Sequence, residues 1–342
     1  MSRHINIPVF IPHAGCGHAC VFCDQKAITG RTDFIYEDAK EHIENALSTV
    51  PTDAEIEIAF FGGSFTGIPR ELMLALLALG DHYVRTGRVH ALRCSTRPDY
   101  IDEEIIAILK AHAMKTVELG IQSMSDRVLS AARRGHTAEI SRQAMKRLSD
   151  NGFSLIGQMM LGLPESTAED ERETAAEICR YAEGARVYPI VVFEGTPLAE
   201  QLRHGAYVPP CPDEMTARAV AVKKIFIAHG VPVIRMGLQS GESLSDPRTA
   251  LTYYDPAAGE RCDAEIYYEG IEEALQSHKK EDLRGGWLLI ETAPHTASKV
   301  SGIHKENKAR LMKKYGFSEI TIREMPTVSP YKVHVSARGK RK

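Results

Sequence analysis

No apolar run in the chain reaches the roughly 18–20 residues that a membrane-spanning helix needs. The opening stretch, MSRHINIPVFIPHAG, lacks the basic, apolar and small-residue regions of a signal peptide. The seven cysteines are odd in number and have no paired framework spacing, which points to a reducing compartment. Cytoplasm is the expected location, with no membrane contact. Low-complexity segments and short-period repeats are also missing. At 342 residues, 43% hydrophobic and 25% charged, the composition suits one large globular domain plus a small one.

Acidic residues are scarce near the end of the chain. From Lys299 to Lys342, twelve Lys and Arg face only Glu306, Glu319 and Glu324, so this segment carries +9 and residues 1–298 carry −12. Such asymmetry points to an anionic partner, nucleic acid foremost. A solvated basic tail is the alternative, since Arg338-Gly339-Lys340-Arg341-Lys342 supplies four of the charges.

What is present is Cys16-Gly17-His18-Ala19-Cys20-Val21-Phe22-Cys23, a CxxxCxxC loop just after an apolar strand at Ile5–Ile11. A closed ferredoxin-type shell needs four thiolates. Here the fourth is absent, because Cys94, Cys179, Cys211 and Cys262 are scattered. Cys16, Cys20 and Cys23 could therefore hold a four-iron cluster with one iron open to an external molecule. Two alternatives stand beside this: a zinc site completed by His13 or His18, and a chance cluster.

Apolar runs at Ile5–Ile11, Glu55–Phe61, Ala91–Ser95, Thr116–Ile121, Ser154–Leu161 and Arg186–Phe193 predict buried parallel strands. Helical patterns alternate with them at Arg70–Tyr83, Asp102–Ala113, Glu139–Asn151 and Thr167–Glu183. Asp102 and Thr167 are placed as N-caps, and Asp170 nearly completes a capping box. The expected fold is α/β: a partial (β/α)6 TIM-like barrel over residues 1–240. In such barrels the chemistry sits where strands run into helices. Those places hold Gly62-Gly63-Ser64, Ser95 to Asp99, Gln122-Ser123, Met160 to Glu165 and Glu194 to Pro197. A helix at Pro212–His229 and a strand at Val231–Leu238 follow, and the stretch Gln239–Pro247 looks like the domain exit. Residues 241–342 are expected to form a small α/β domain.

The CxxxCxxC loop, with an aromatic residue before its last cysteine, resembles the radical S-adenosylmethionine (SAM) superfamily. The resemblance implies that Cys16, Cys20 and Cys23 ligate a [4Fe–4S] cluster whose open iron chelates SAM. It implies reductive cleavage of SAM to a 5′-deoxyadenosyl radical, hence an external electron donor. Gly62, Gly63 and Ser64 fall at the motif that holds the SAM amino group. Gln158, Met160, Gly162 and Glu165 fall at the GxIxGxxE adenine motif, with Gln158 in place of its first glycine. Gln122 and Ser123 correspond to ribose contacts, or serve a local turn. Arg97 is placed to balance the SAM carboxylate, or is a structural arginine held by Asp99. No residue is assigned a catalytic role; Tyr188, Glu194, Tyr253 and Tyr254 could face substrate or simply pack.

Phe61 to Thr66, Ser95 to Tyr100, Val117 to Ser123, Arg134-Gly135-His136-Thr137, and Tyr188-Pro189 followed by Gly195 to Leu198 narrow the resemblance to the radical SAM domain of the Elongator catalytic subunit. That family modifies the wobble uridine of tRNA. About 100 residues follow here, with no coenzyme A pyrophosphate loop, so acetyl transfer is not expected. The segment Ser298 to Gly316, between strands, resembles a KH RNA-binding module, with Gly302-Ile303-His304-Lys305 at the place of its GxxG loop. The expected function is a radical SAM enzyme acting on RNA, tRNA foremost. Two alternatives remain: radical chemistry on a small molecule or peptide, and a non-catalytic RNA-binding protein with a structural metal.

Overall fold

A computed structural model describes residues 4–11, 16–17, 20–23, 34–51, 53–238, 244 and 246–339. His13, His18 and most of the stretch Gln239–Pro247 lie outside the described residues, as do Lys340, Arg341 and Lys342. The chain divides into two compact units, Met1–Met215 with Ile225–Tyr254, and Thr216–Lys224 with Asp255–Lys342.

The first unit alternates strands and helices: β1 (His4–Phe10), α1 (Tyr36–Thr49), β2 (Glu55–Phe61), α2 (Arg70–Arg85), β3 (Ala91–Thr96), α3 (Glu103–Ala111), β4 (Met114–Gln122), α4 (Asp126–Ala131), α5 (Ala138–Asp150), β5 (Ser154–Leu161), α6 (Ala168–Cys179), β6 (Gly184–Pro189), α7 (Pro197–Arg203), α8 (Pro212–Ala228) and β7 (Val233–Met236). The middle of α8, Thr216–Lys224, belongs to the second unit. The strands form one parallel sheet in sequential order from β1 to β7. No pairing joins β1 to β7 among the described residues, so the barrel is open. The expected six strands are present, and β7 extends the sheet by a seventh. α1 is not legible from apolar periodicity, because only Ala39 and Ile43 are buried along it. β6 stops at Pro189, earlier than its apolar run suggests; the following residues bond instead to Thr249, Leu251 and Thr252.

Period-two alternation separates the two faces of the sheet. Leu92 and Gly157 meet Gly80 of α2 and Ile178 of α6, so their face is the helix-covered one. The opposite face carries charge. Arg93 donates to Glu57 at 2.7 Å and to Glu118 at 2.9 Å. Arg186 pairs with Glu118 at 2.8 Å, Gln158 donates to Glu118 at 2.9 Å, and Thr116 donates to Glu57 at 3.2 Å. Buried charges persist only when paired. This network ties β2, β3, β4, β5 and β6 together beneath the strand ends. Gln158, which departs from the family's glycine, is one of its members.

The second unit contains α9 (Ala258–Leu275), α10 (Lys280–Leu283), β8 (Trp287–Thr292), α11 (Ala297–Ser301), α12 (Glu306–Tyr315), β9 (Glu319–Glu324) and β10 (Val333–Arg338). Its three-stranded sheet has β8 in the centre, parallel to β9 and antiparallel to β10. Tyr267, Ile271, Leu275, Leu288, Ile290 and Leu311 anchor its core. The segment Ser298 to Gly316, expected between strands, forms α11 and α12 between β8 and β9.

Candidate metal centre

The cysteine loop follows β1, at the carboxyl ends of the strands. Cys20 is buried, Cys23 half-buried and Cys16 exposed, and none of them forms a disulfide. Backbone bonds fix the loop at three points: Val21 donates to the carbonyl of Ala132, Leu198 donates to that of Val21, and Cys23 donates to that of Cys20. Val21 and Phe22 pack with Leu163, Ile190 and Met160 in one apolar cluster.

Side chains from the other motifs close around it. The Ser64 hydroxyl lies 3.4 Å from the Cys16 sulfur. The Tyr100 hydroxyl accepts from Gly17 N at 2.9 Å. Arg97 spreads its guanidinium over the Tyr100 ring and chelates Asp99 through Nε and Nη2, at 2.9 and 3.0 Å. Arg97 Nη2 also donates to the carbonyl of Arg134, and its Nη1 lies 3.9 Å from the Cys20 sulfur. Arg134 approaches closer: Nη1 is 3.1 Å from that sulfur, and Nη2 donates to the carbonyl of Gly120 at 2.6 Å. Thr66 links Thr96 at 2.6 Å and the carbonyl of Tyr100 at 3.0 Å, holding the turn that presents Arg97.

The positions expected to contact a cofactor divide by what the fold already asks of them. Gly62 has φ +104°, and a Cβ there would sit 3.1 Å from the backbone of Ile11. Only glycine meets both conditions without strain. Gly63 is half-buried beside it. Gly162 has φ +75° and lies against Met215, Ile190 and Pro210; its N–H donates to Glu171 and its carbonyl accepts from Tyr207. Ser123 Oγ accepts from Ser125 N at 3.2 Å, a turn contact. Gln122 has φ +67°, an uncommon conformation for a side-chain-bearing residue, and its buried Oε1 has no partner among the described residues. Arg134 Nε is likewise buried and unpartnered among them. Glu165 is exposed, near Arg127. Glu194 pairs with Arg203, Tyr253 is exposed, and Tyr254 donates to the carbonyl of Leu238. Burial pushes the Tyr188 phenol up, against the lowering effect of the Arg186 charge.

This donor set suits an iron–sulfur cluster. Three soft thiols are offered, with an N–H donor turned on the sulfur of Cys20 and a hydroxyl within hydrogen-bond distance of that of Cys16. A cluster spreads three thiolates over three irons. Zinc would instead gather its ligands around one ion. The unpartnered Gln122 acceptor and Arg134 donor leave unmet polar capacity beside the loop, as a polar cofactor requires. Arg134, Tyr100 and Leu198 fall within family-like runs without being among the expected site residues, and Glu171 lies in none of those runs. For Arg134 a signal exists, since it opens the family-like run Arg134 to Thr137, but its bond to Cys20 follows only from the fold.

Residues 10–178 match the family model described as "Radical SAM superfamily", and residues 182–274 match the "Radical_SAM C-terminal domain". An uncharacterized protein of Methanocaldococcus jannaschii is 29% identical over 60% of this chain and 67% of its own length. The tRNA uridine(34) acetyltransferase of the same organism is 37% identical over 36% of this chain, but only 23% of that protein is covered. Elongator complex protein 3 of Schizosaccharomyces pombe is 25% identical over 67% of this chain and 52% of its own length. The chain thus spans about a quarter to a half of these two named relatives. In structure, the archaeal Elp3 of Methanocaldococcus infernus superposes with a TM-score of 0.61 at 21% identity, covering 84% of this chain and 73% of that one.

Proposed function

The chain belongs to the radical SAM superfamily, and from that premise we propose that it is a radical SAM enzyme that modifies tRNA. Its cofactors are a [4Fe–4S] cluster and SAM. Bound together and reduced by an external electron donor, they supply a 5′-deoxyadenosyl radical that abstracts hydrogen from substrate. The observation that carries the reading is convergence: Ser64, Arg97, Tyr100, Arg134 and Leu198, from four separate motifs, all bond to the cysteine loop. Cys16, Cys20 and Cys23 would hold the cluster. Gly62, Gly63, Ser64, Gln122, Ser123, Met160 and Gly162 would line the SAM side, and Arg97, paired with Asp99, would brace the loop beside it. Val21, Phe22, Met160 and Leu163 pack together as an apolar surface beside the loop.

The tRNA substrate is supported by the names of the matching relatives and by exposed, basic Lys305, Lys313 and Lys332 in the second unit. The test is 5′-deoxyadenosine formation by anaerobically reconstituted protein, reduced with dithionite and given SAM with and without bulk tRNA. Product is expected to rise with tRNA and to vanish when Cys16, Cys20 or Cys23 is replaced by Ala. Product indifferent to tRNA would move the substrate to a small molecule or peptide. No product from iron-replete protein would overturn the enzymatic reading.

A further inference from the structure

We propose that the outward face of the three-stranded sheet in the second unit binds single-stranded RNA, with a base stacked on Trp287 and the phosphates running along β10. The inference takes RNA as the partner from the reading above and names the surface that holds it. Side chains alternate between the two faces of a strand. Leu288 and Ile290 of β8, Ile320 of β9, and Val333 and Val335 of β10 share a core with Ile271 of α9, Val300 of α11 and Leu311 of α12, so they face the helices. Trp287, Leu289 and Glu291 of β8, Glu319, Thr321 and Arg323 of β9, and His334, Ser336 and Arg338 of β10 therefore face outward. All are exposed except Leu289 and Glu291, which are half-buried. The Gly302 to Lys305 loop joins α11 to α12, on the opposite side of the sheet.

Trp287 is the only tryptophan of the chain, and it is 39% exposed. It takes no part in the core beneath it. It stands on the central strand, in register with Arg338 on one side and Glu319 on the other. An aromatic ring on an open sheet offers a stacking surface to an unpaired base, whatever the base's identity. Charge then sets the direction of the strand. The outward row of β10 carries His334, Ser336 and Arg338, exposed Lys332 precedes it, and none of these is acidic. The acids of the face lie on the other two strands: Glu291 is 3.8 Å from Arg323, and Glu319 lies beside Trp287. Phosphates are thus drawn to β10 and repelled from Glu319, which turns the bases over β8. Ser336 and Thr321, in register with Leu289, offer hydroxyls to base edges there. A duplex keeps its base faces stacked within itself, so the surface suits the unpaired loops or end of an RNA.

The test uses the anaerobically reconstituted full chain labelled with 5-fluorotryptophan, in which Trp287 gives a single 19F resonance. The probes are a ten-nucleotide RNA of mixed sequence, the same RNA as a duplex, bulk tRNA, and dextran sulfate as a polyanion without bases. The single strand and tRNA are expected to shift the resonance, and the duplex and dextran sulfate to leave it in place. In filter binding of the single strand, W287A is expected to lose about 5- to 150-fold in affinity with an unchanged salt slope, and W287F to recover part of the loss. K332Q and R338Q are each expected to flatten the log–log salt slope by about one. A resonance unmoved at saturating single strand would overturn the inference in the wild type alone, without reliance on any variant. An equal shift with dextran sulfate would reduce the face to a charge patch and overturn it. A shift that grows with protein concentration in the absence of RNA would assign the face to a second copy of the chain, and would overturn it too. The tRNA-modifying reading fails separately: a resonance moved by the single strand, with 5′-deoxyadenosine formation indifferent to tRNA, would uphold this surface and remove that reading.

Discussion

His136, two residues beyond Arg134, is buried with its Nδ1 near Ser141 Oγ at 3.3 Å and its Nε2 unpartnered among the described residues. Burial, and then the Arg134 charge, hold its pKa down at about 4. The native state thus keeps the ring neutral, while an unfolded chain protonates it near pH 6.5. Below that pH the unfolded state binds the extra proton, so stability falls as pH drops from about 6.5 towards 4. Thermal melting of the metal-free protein is expected to show this loss between about pH 7 and pH 5, and His136→Asn to show a shallower one. An equal slope in the variant would mean that His136 is not the titrating group. The sequence marks this histidine only as a member of the family-like run Arg134 to Thr137, which says nothing of its protonation. Its neutrality follows from burial and from a neighbour that the turn after α4 brings close.

At the scale of elements, the caps are legible in the sequence because they are local. Asp102 accepts from Ile105 N at 2.8 Å, and Thr167 and Asp170 form a reciprocal capping box at the start of α6. Replacing Thr167 by Ala is expected to cost about 1 kcal/mol, read as a lowered denaturant midpoint with unchanged slope. No change in midpoint would show that Asp170 alone satisfies the turn. Strand positions are likewise visible in apolar runs. Local pattern cannot supply α1, whose burial is slight, or the end of β6, where tertiary partners draw the chain out of the sheet. In the sequence, Gln158 in place of glycine reads as a weakened cofactor motif. The structure shows it recruited into the Glu57–Arg93–Glu118–Arg186 network.

At the scale of the whole molecule, the basic C-terminal segment is less bare than its composition suggests. Lys299 pairs with Asp263, Arg310 with Glu265, Lys314 with Glu272 and Arg323 with Glu291. The first three of those acids lie on α9, and all four precede Lys299 in the chain. Lys305, Lys313 and Lys332 are exposed, with no acidic partner among the described residues. If the second unit binds tRNA, replacing these three with Gln should weaken binding and flatten its salt dependence, by roughly one unit of log–log slope for each phosphate no longer neutralised. Unchanged affinity and slope in a filter-binding titration would remove these lysines from any RNA interface. No helix among the described residues is long and apolar enough to cross a membrane.

The sequence by itself determined the cysteine loop, the β/α alternation and the order of the motifs, because each depends on spacing along the chain. Tertiary structure decided what those motifs do to one another. Arg134 is 114 residues from Cys20 and Tyr100 is 83 from Gly17, yet both bond across those gaps. Strand curvature sets such contacts, and no local periodicity encodes it. The same holds for charge: formal balance is additive along a sequence, while the field at a site depends on which ions the fold places within a few ångströms of each other.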